Sequence, residues 1–324
     1  MRIFLTLLIF SISFAVAFIA LRAALPHLRR ARIVGKDIHK PDKPEVPEMG
    51  GLFWVTGFVV GITMVIAFNT FLHRFLSIEL PQVLAVLSTV LIIAIVGTID
   101  DLIGMRQSVK AFMPLFASLP LIAIRAGDTA ISIPLAGEVD FGIFYSIILV
   151  PLGVTGAANA VNMLAGFNGG EAGMGIVAMA SLAAVAYLTG ETAAFLILIT
   201  AIGALLAVLY YNWYPAKVFV GDVGTLSIGA IIASAVIIGN FELAGVIVII
   251  PYLLDFAIKA KNRFPSKGWW GIYREGKLYC PESGPVGLGQ LILKITGGTS
   301  ERNLTLILMG LEAICGAIAI WMFW

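Results

Sequence analysis

VLAVLSTVLIIAIVGTIDDLIGMRQSVK, running from Val83 to Lys110, decides what kind of chain this is. Its first half is an apolar run that reads as a membrane span. Its second half opens on two adjacent carboxylates, Asp100 and Asp101, and closes on Lys110, where the next apolar run begins. A charge at a bilayer centre costs at least about 2.5–3.5 kcal/mol, so ionisable groups kept at span ends are candidates for function. A short polar loop holding two helices apart explains the same residues, and this loop alone leaves the two readings even.

Outward from that stretch, the 324 residues are 60% hydrophobic and only 12% charged, where a soluble protein carries about 25% charged residues. The expected fold is therefore all-α, a polytopic membrane protein forming one domain over residues 1–324. Ten apolar runs read as spans, near 3–22, 50–72, 81–99, 109–126, 141–158, 172–189, 192–210, 224–240, 242–259 and 304–323. The first is longer than a signal peptide's apolar region of about 7–15 residues and stays a span. The net charge of +2 says little about partners, and no nucleic acid is expected. Cys280 and Cys315 offer neither a disulfide framework nor a metal-ligand spacing, and three histidines make a His-based metal site improbable.

Basic residues set the orientation. If the loops after spans one, three, five, seven and nine are cytoplasmic, only Arg2, Arg74 and Arg125 of the 21 Lys and Arg residues fall opposite. The positive-inside rule then places both termini outside, with Trp321 and Trp324 as outer interfacial anchors. The outer loops look ordinary. Residues 127–140 (GDTAISIPLAGEVD) suggest a short β-hairpin, with Ile131, Ile133 and Leu135 alternating against polar or small neighbours.

The cytoplasmic loops differ. Loop one ends in KDIHKPDKPEVPEMGG (Lys36–Gly51), whose prolines forbid a continuous helix. Loop three, NAVNMLAGFNGGEAG (Asn159–Gly173), puts Asn and Gly at the end of an apolar helix, where their amides must face protein, water or ligand. A plain turn needs far less polar sequence. Loop four, YNWYPAKVFVGDVGT (Tyr211–Thr225), sets Asp222 at or near the N-cap of the next helix, a role compatible with holding a metal. Loop five, near residues 259–303, carries Lys261, Arg263 and Lys267, which either grip phosphate or are retained by the charge rule. There, Asp255 can pair with a neighbouring Lys, and Trp269 and Trp270 suit interfacial anchoring as well as substrate stacking.

Collected on one face, Asp100, Asp101, Asp222, Asn162 and Asn168 offer oxygen ligands, with Lys110 and a basic segment beside them. That set suits Mg²⁺, which is usually completed by substrate phosphates. Basic residues beside it suit a diphosphate, and a site at the membrane surface implies a lipid reactant. The residues alone thus point to Mg²⁺-dependent phosphoryl chemistry on a lipid at the cytoplasmic face.

The chain resembles the polyprenyl-phosphate N-acetylhexosamine-1-phosphate transferase family (glycosyltransferase 4 type), and within it the archaeal and eukaryotic UDP-GlcNAc–dolichyl-phosphate GlcNAc-1-phosphate transferases. GKDIHK with PEMGG, IDDLIGMRQSVK, NAVNMLAGFNGGEAG, KVFVGD and SERNLTLIL carry the resemblance over nearly the whole length. It implies that a polyprenyl (dolichyl-type) phosphate attacks UDP-GlcNAc, giving polyprenyl-diphospho-GlcNAc and UMP, a first membrane step of glycan assembly. By that resemblance Asn162 and Asp222 hold Mg²⁺, with Mn²⁺ as a substitute. Asp100 and Asp101 orient or activate the lipid phosphate, Lys110 contacts it, and the stretch through about Ala126 binds lipid. Lys36, Asp37, Ile38, Glu48, Asn168, Gly169 and Gly170 form the nucleotide-sugar pocket, and Phe219 stacks on uracil. In loop five, bacterial relatives carry a His-rich motif and dolichol-type enzymes an Arg-His-Arg cluster. Here the matching residues read Lys261, Asn262 and Arg263, so the donor sugar rests on a departed motif. The compact loops and the lack of a retention signal point to a prokaryotic, archaeal cell membrane; a homodimer is expected, and another UDP-N-acetylhexosamine or a UDP-muramyl peptide is the alternative donor. The rival of another class is a secondary transporter, but transporters place ionisable groups near the midplane in paired halves. No matching half is found.

Overall fold

The computed structural model describes residues 2–72, 78–133, 137–265 and 268–324; Arg74, Leu135 and Lys267 lie outside the described residues. Helices that are apolar all round can pack only in lipid or in a large core, and lipid demands that their backbone groups pair internally. α1 (Arg2–Arg30) is longer than its apolar run and takes in Arg22, Arg29 and Arg30. Loop one then folds into a hairpin that the sequence reading does not contain. Its strands β1 (Val34–Lys36) and β2 (Glu45–Pro47) pair with Val34 opposite Pro47 and Lys36 opposite Glu45. α2 (Gly50–Phe71) and α3 (Leu80–Ile103) follow, and α3 stops at Gly104 in the left-handed conformation (φ 66°).

The fourth expected span is not one rod. It breaks into α4 (Gln107–Phe112), α5 (Pro114–Ala117) and α6 (Leu119–Ala123). Pro114 and Pro120 start the second and third pieces because proline has no N–H to continue the ladder. The hairpin expected in residues 127–140 is present as β3 (Ala130–Ile133) and β4 (Gly137–Asp140), with Ile131 opposite Val139. A π-helical turn (Tyr145–Leu149) leads into α7 (Val150–Met163), followed by α8 (Gly170–Thr189), α9 (Thr192–Asn212) and α10 (Gly221–Ile238).

α11 (Glu242–Val248) and α12 (Ile250–Lys261) meet at a bend of 57°. Loop five is structured. β5 (Ile272–Arg274) pairs with β6 (Lys277–Tyr279), Leu278 is bridged to Thr299, and α13 (Leu288–Thr296) precedes α14 (Glu301–Phe323). Among the described residues, eight helices are long and apolar enough to cross a membrane, and the bent pair makes a ninth. The broken segment Gln107–Ala123 stands where the tenth is expected.

α10 is the axis of the bundle: every residue from Val223 to Ile238 is buried. α2, α3 and α7 pack directly on it, and glycine makes two of these approaches possible. A Cβ on Gly51 would sit 2.3 Å from Gly224 Cα, and one on Gly97 would sit 2.4 Å from Val223 Cα. Small residues let backbones close to contact where lipid supplies no hydrophobic drive between helices. The first turn of α10 is thereby held against the ends of α2 and α3, which carry the loops that build the site.

Candidate active site at the span ends

Four side chains from four parts of the chain meet at the start of α10. Lys110 Nζ lies 2.7 Å from Asp100 Oδ2 and 2.5 Å from Asp222 Oδ2. Asn162 Nδ2 donates to Asp222 Oδ1 at 2.5 Å and to Thr225 Oγ1 at 2.7 Å. Asp100 Oδ1 also accepts from the Met105 N–H at 2.6 Å, which fixes it at the end of α3. Asp100 and Lys110 are buried, 8% and 7% exposed, so neither charge is tolerable without the other. Asp222, in the first turn of α10, caps nothing with its own side chain. The cap comes from Asp101, whose two oxygens accept the N–H groups of Asp222 (2.7 Å) and Val223 (3.0 Å). The adjacent acids thus face different tasks, one toward Lys110 and one toward the helix.

A second polar cluster lies along the same cavity. Glu301, the first residue of α14, accepts from the Asn168 N–H at 2.8 Å, from Lys40 Nζ and, at 3.3 Å, from His39 Nδ1. Asn168 Nδ2 reaches Asp37 Oδ2 at 3.0 Å, and Lys40 Nζ lies 3.2 Å from the same oxygen. His39 stacks on Phe167 with ring centroids 5.1 Å apart. Backbone bonds tie loops one and four together, Phe219 N–H to Pro47 C=O and Gly50 N–H to Phe219 C=O, each at 2.8 Å. Asn212 ties loop three to loop four, accepting from Gly169 N–H and donating to Val218 C=O. Glu48 sits in this junction. Burial pushes its carboxyl above the ordinary value, and the negative charge of Asp222 pushes it further.

Residues of both clusters line one cavity of about 1130 Å³, the second cluster through Asp37, His39, Phe167 and Asn168. Of the residues proposed from sequence, Lys36, Asp37, Ile38, Glu48, Asp100, Asp101, Lys110, Asn162, Asn168, Phe219 and Asp222 line it. Gly169 and Gly170 stand just behind, where Gly169 adopts the left-handed conformation (φ 76°) that starts α8. Lys261, Asn262 and Arg263 are exposed and do not line the cavity. Asn262 instead donates to the carbonyls of Ile258 and Pro285. The buried charged residues of α12 are Asp255 and Lys259, paired at 2.8 Å. Their i, i+4 spacing was a usable signal for the inward face, and it puts Lys261 and Arg263 off that face. His39, Lys40, Glu301, Lys259 and Trp269 were also not proposed as site residues. His39 and Lys40 stood in the quoted GKDIHK and Glu301 in SERNLTLIL, whereas Lys259 and Trp269 stood in none of the motifs that carry the resemblance.

The donor set fits a hard divalent cation. Asp222, Asp100 and Asn162 bring oxygen ligands without sulfur or imidazole among them. Both bonds made by Asn162 leave from Nδ2, so its Oδ1 is left for such an ion.

The profile of glycosyl transferase family 4 matches residues 83–240, the segment that holds Asp100, Lys110, Asn162 and Asp222. A Saccharolobus solfataricus protein provisionally named as a UDP-N-acetylglucosamine–dolichyl-phosphate N-acetylglucosaminephosphotransferase is 40% identical over 99% of this chain and 97% of its own length. The chain belongs to glycosyl transferase family 4. Two further relatives show the breadth of the similarity. A Dictyostelium discoideum UDP-N-acetylglucosamine–dolichyl-phosphate N-acetylglucosaminephosphotransferase is 28% identical over 89% of this chain and 81% of its own. A Streptococcus thermophilus phospho-N-acetylmuramoyl-pentapeptide-transferase is 29% identical over 74% of this chain and 75% of its own.

Proposed function

We propose that this family 4 member transfers GlcNAc-1-phosphate from UDP-GlcNAc to a membrane polyprenyl phosphate of the dolichyl type, releasing UMP at the cytoplasmic face of an archaeal cell membrane. The observation that carries the reading is the meeting of Asp100, Lys110, Asn162 and Asp222 in one cavity at the span ends, where lipid and water-soluble reactants can meet. The names of the Saccharolobus and Dictyostelium relatives support the choice of donor and acceptor.

An oxygen of the lipid phosphate attacks the β-phosphorus of the nucleotide sugar. The bond from that phosphorus to the bridging oxygen breaks, and UMP leaves with that oxygen. A phosphate monoester has its second pKa near about 6 and is already largely ionised at neutral pH, so attack needs alignment more than a strong base. Lys110 supplies a positive charge for the lipid phosphate and is itself aimed by Asp100. Asp101 holds the first turn of α10, and with it Asp222, in register. Asp222 and Asn162 would hold Mg²⁺, or Mn²⁺ in its place, which when bound neutralises charge on the diphosphate.

The test is an assay with the purified chain in lipid, radiolabelled UDP-GlcNAc, polyprenyl phosphate and Mg²⁺. Label should pass into the organic phase with UMP released in equal amount, and chelator should stop it. Label that stays water-soluble, or transfer only from a UDP-muramyl peptide, would sink the proposal.

A further inference from the structure

The sugar end of the donor has no recognised partner once Lys261, Asn262 and Arg263 are found outside the cavity. A different part of loop five fills that wall. Trp269 lines the cavity half-buried, and several neighbours hold it in place. Its indole lies against Gly166, where a Cβ would come within 2.1 Å of the ring. Its edges meet Phe167 (centroids 6.4 Å apart, planes at 85°) and Trp270 (5.6 Å, 74°).

The buried carboxamide of Gln290 clamps the backbone on both sides of this residue, donating to Gly268 C=O at 2.8 Å and Trp270 C=O at 2.7 Å. Its oxygen accepts the Val286 N–H at 2.8 Å, so the carboxamide is anchored at both ends. Lys259 Nζ stands 5.3 Å from the indole centroid and donates to the carbonyl of Met163, the residue after Asn162. Asp255 neutralises Lys259 and accepts the Leu288 N–H at 2.7 Å. An interfacial anchor needs none of this. A tryptophan immobilised before a ligand arrives is what a binding platform requires, because little ordering entropy is then lost on binding.

We propose that Trp269 is the platform for the donor's sugar ring, and that Gln290 and Lys259 are positioning residues that hold it there. The inference rests on the nucleotide-sugar reading above and adds the residue that takes the sugar. Asn162 and Gly166 are four positions apart in one loop, and Lys259 and Trp269 touch that loop at Met163 and Gly166. A hexose on the β-phosphate would therefore leave Asn162 toward the indole. Contact between the ring's C–H groups and an aromatic surface is dispersive and excludes water, so it favours a pyranose without reading its charge.

The experiment compares UDP-GlcNAc and UMP binding to the full chain in nanodiscs, for the wild type and for Trp269→Ala, Trp269→Phe and Gln290→Ala. UMP shares the uridine and one phosphate but has no sugar. Trp269→Ala should lose about tenfold or more in UDP-GlcNAc affinity. It should keep UMP affinity within about twofold by the same scale. Trp269→Phe should recover much of the loss, and Gln290→Ala should raise the donor KM more than it lowers kcat. Unchanged UMP affinity also certifies that the variants are folded. Parallel loss of UMP and UDP-GlcNAc, or no loss of either, overturns the platform. A wild-type chain that binds UMP but no UDP-sugar overturns the donor reading itself and the platform with it, which is a distinguishable result.

Discussion

Both carboxylate oxygens of Asp101 are engaged by the helix that carries Asp222: Oδ1 accepts the Asp222 N–H at 2.7 Å and Oδ2 accepts the Val223 N–H at 3.0 Å. The tie crosses 121 positions of sequence between Asp101 and Asp222. It joins the end of α3 to the start of α10 by the favourable meeting of a carboxylate with a helix N-terminus. Asp101→Ala should therefore cost roughly 0.5–2 kcal/mol of stability, the usual worth of an N-cap. Its activity loss should act through Asp222, so Asp101→Asn, which keeps one acceptor, should recover part of both. Melting temperature and turnover measured on the same preparations check this. Full activity in Asp101→Ala would count against the positioning role.

Asp100 and Asp222 share Lys110, and Asp222 alone also engages Asn162. Asp222→Ala should abolish turnover, a loss of about a thousandfold or more if phosphoryl charge stabilisation is removed. Asp128, whose backbone N–H bonds Asn240 beside the β3–β4 hairpin, should tolerate Ala with little change. Comparable losses in the two variants would mean that the site is misplaced.

Hydropathy alone made the spans legible, including the place of the broken segment 107–123, because a lipid solvent imposes length and apolarity on each crossing. The span-end location of Asp100, Lys110, Asn162 and Asp222 was also legible, since charge and amides are expensive in lipid. The division of labour between Asp100 and Asp101 was not. Adjacent residues in a helix point about 100° apart, and nothing local says which helix N-terminus one of them will meet. In loop five, too, composition did not give orientation. Lys261, Asn262 and Arg263 resemble a recognition motif in composition, but the phase of α12 is set by Asp255 and Lys259, which pair inward at 2.8 Å. The hairpins β1–β2 and β5–β6 are too short for an alternating pattern to stand out.

Glu48 gives a pH dependence whose sign follows from its surroundings. Burial, then the charge of Asp222, raises its folded carboxyl above the ordinary value of about 4.5. Between the unfolded and folded values the folded chain binds the proton more tightly, so stability falls as pH rises from about 4.5 through the folded value. Glu48→Gln removes that slope. In chelator, its melting temperature should vary less than the wild type's from about pH 5 to about pH 8 and should equal or exceed it at neutral pH. A variant less stable than the wild type at neutral pH would refute this account.

Glu301 joins three loops through one carboxylate. It accepts the Asn168 N–H at 2.8 Å and binds Lys40 and His39, although it is only 4% exposed. Glu301→Gln keeps the shape and one acceptor but leaves the Lys40 ammonium with Asp37 as its remaining carboxylate, at 3.2 Å. Breaking one side of a buried ion pair costs about 3–5 kcal/mol, and the retained Asp37 contact should hold the loss at or below the lower end of that range. The Asn168 amide, no longer opposed by a charge at its N–H, should become freer to move, and with it the Phe167 ring stacked on His39. Nucleotide affinity should therefore fall with stability, whereas Asp222→Asn should cut turnover and leave UMP affinity nearly intact. Melting temperature and UMP titration of both variants separate the two clusters. If Glu301→Gln changed turnover but neither of those quantities, Glu301 would belong with the reacting groups rather than with the frame of the nucleotide cavity.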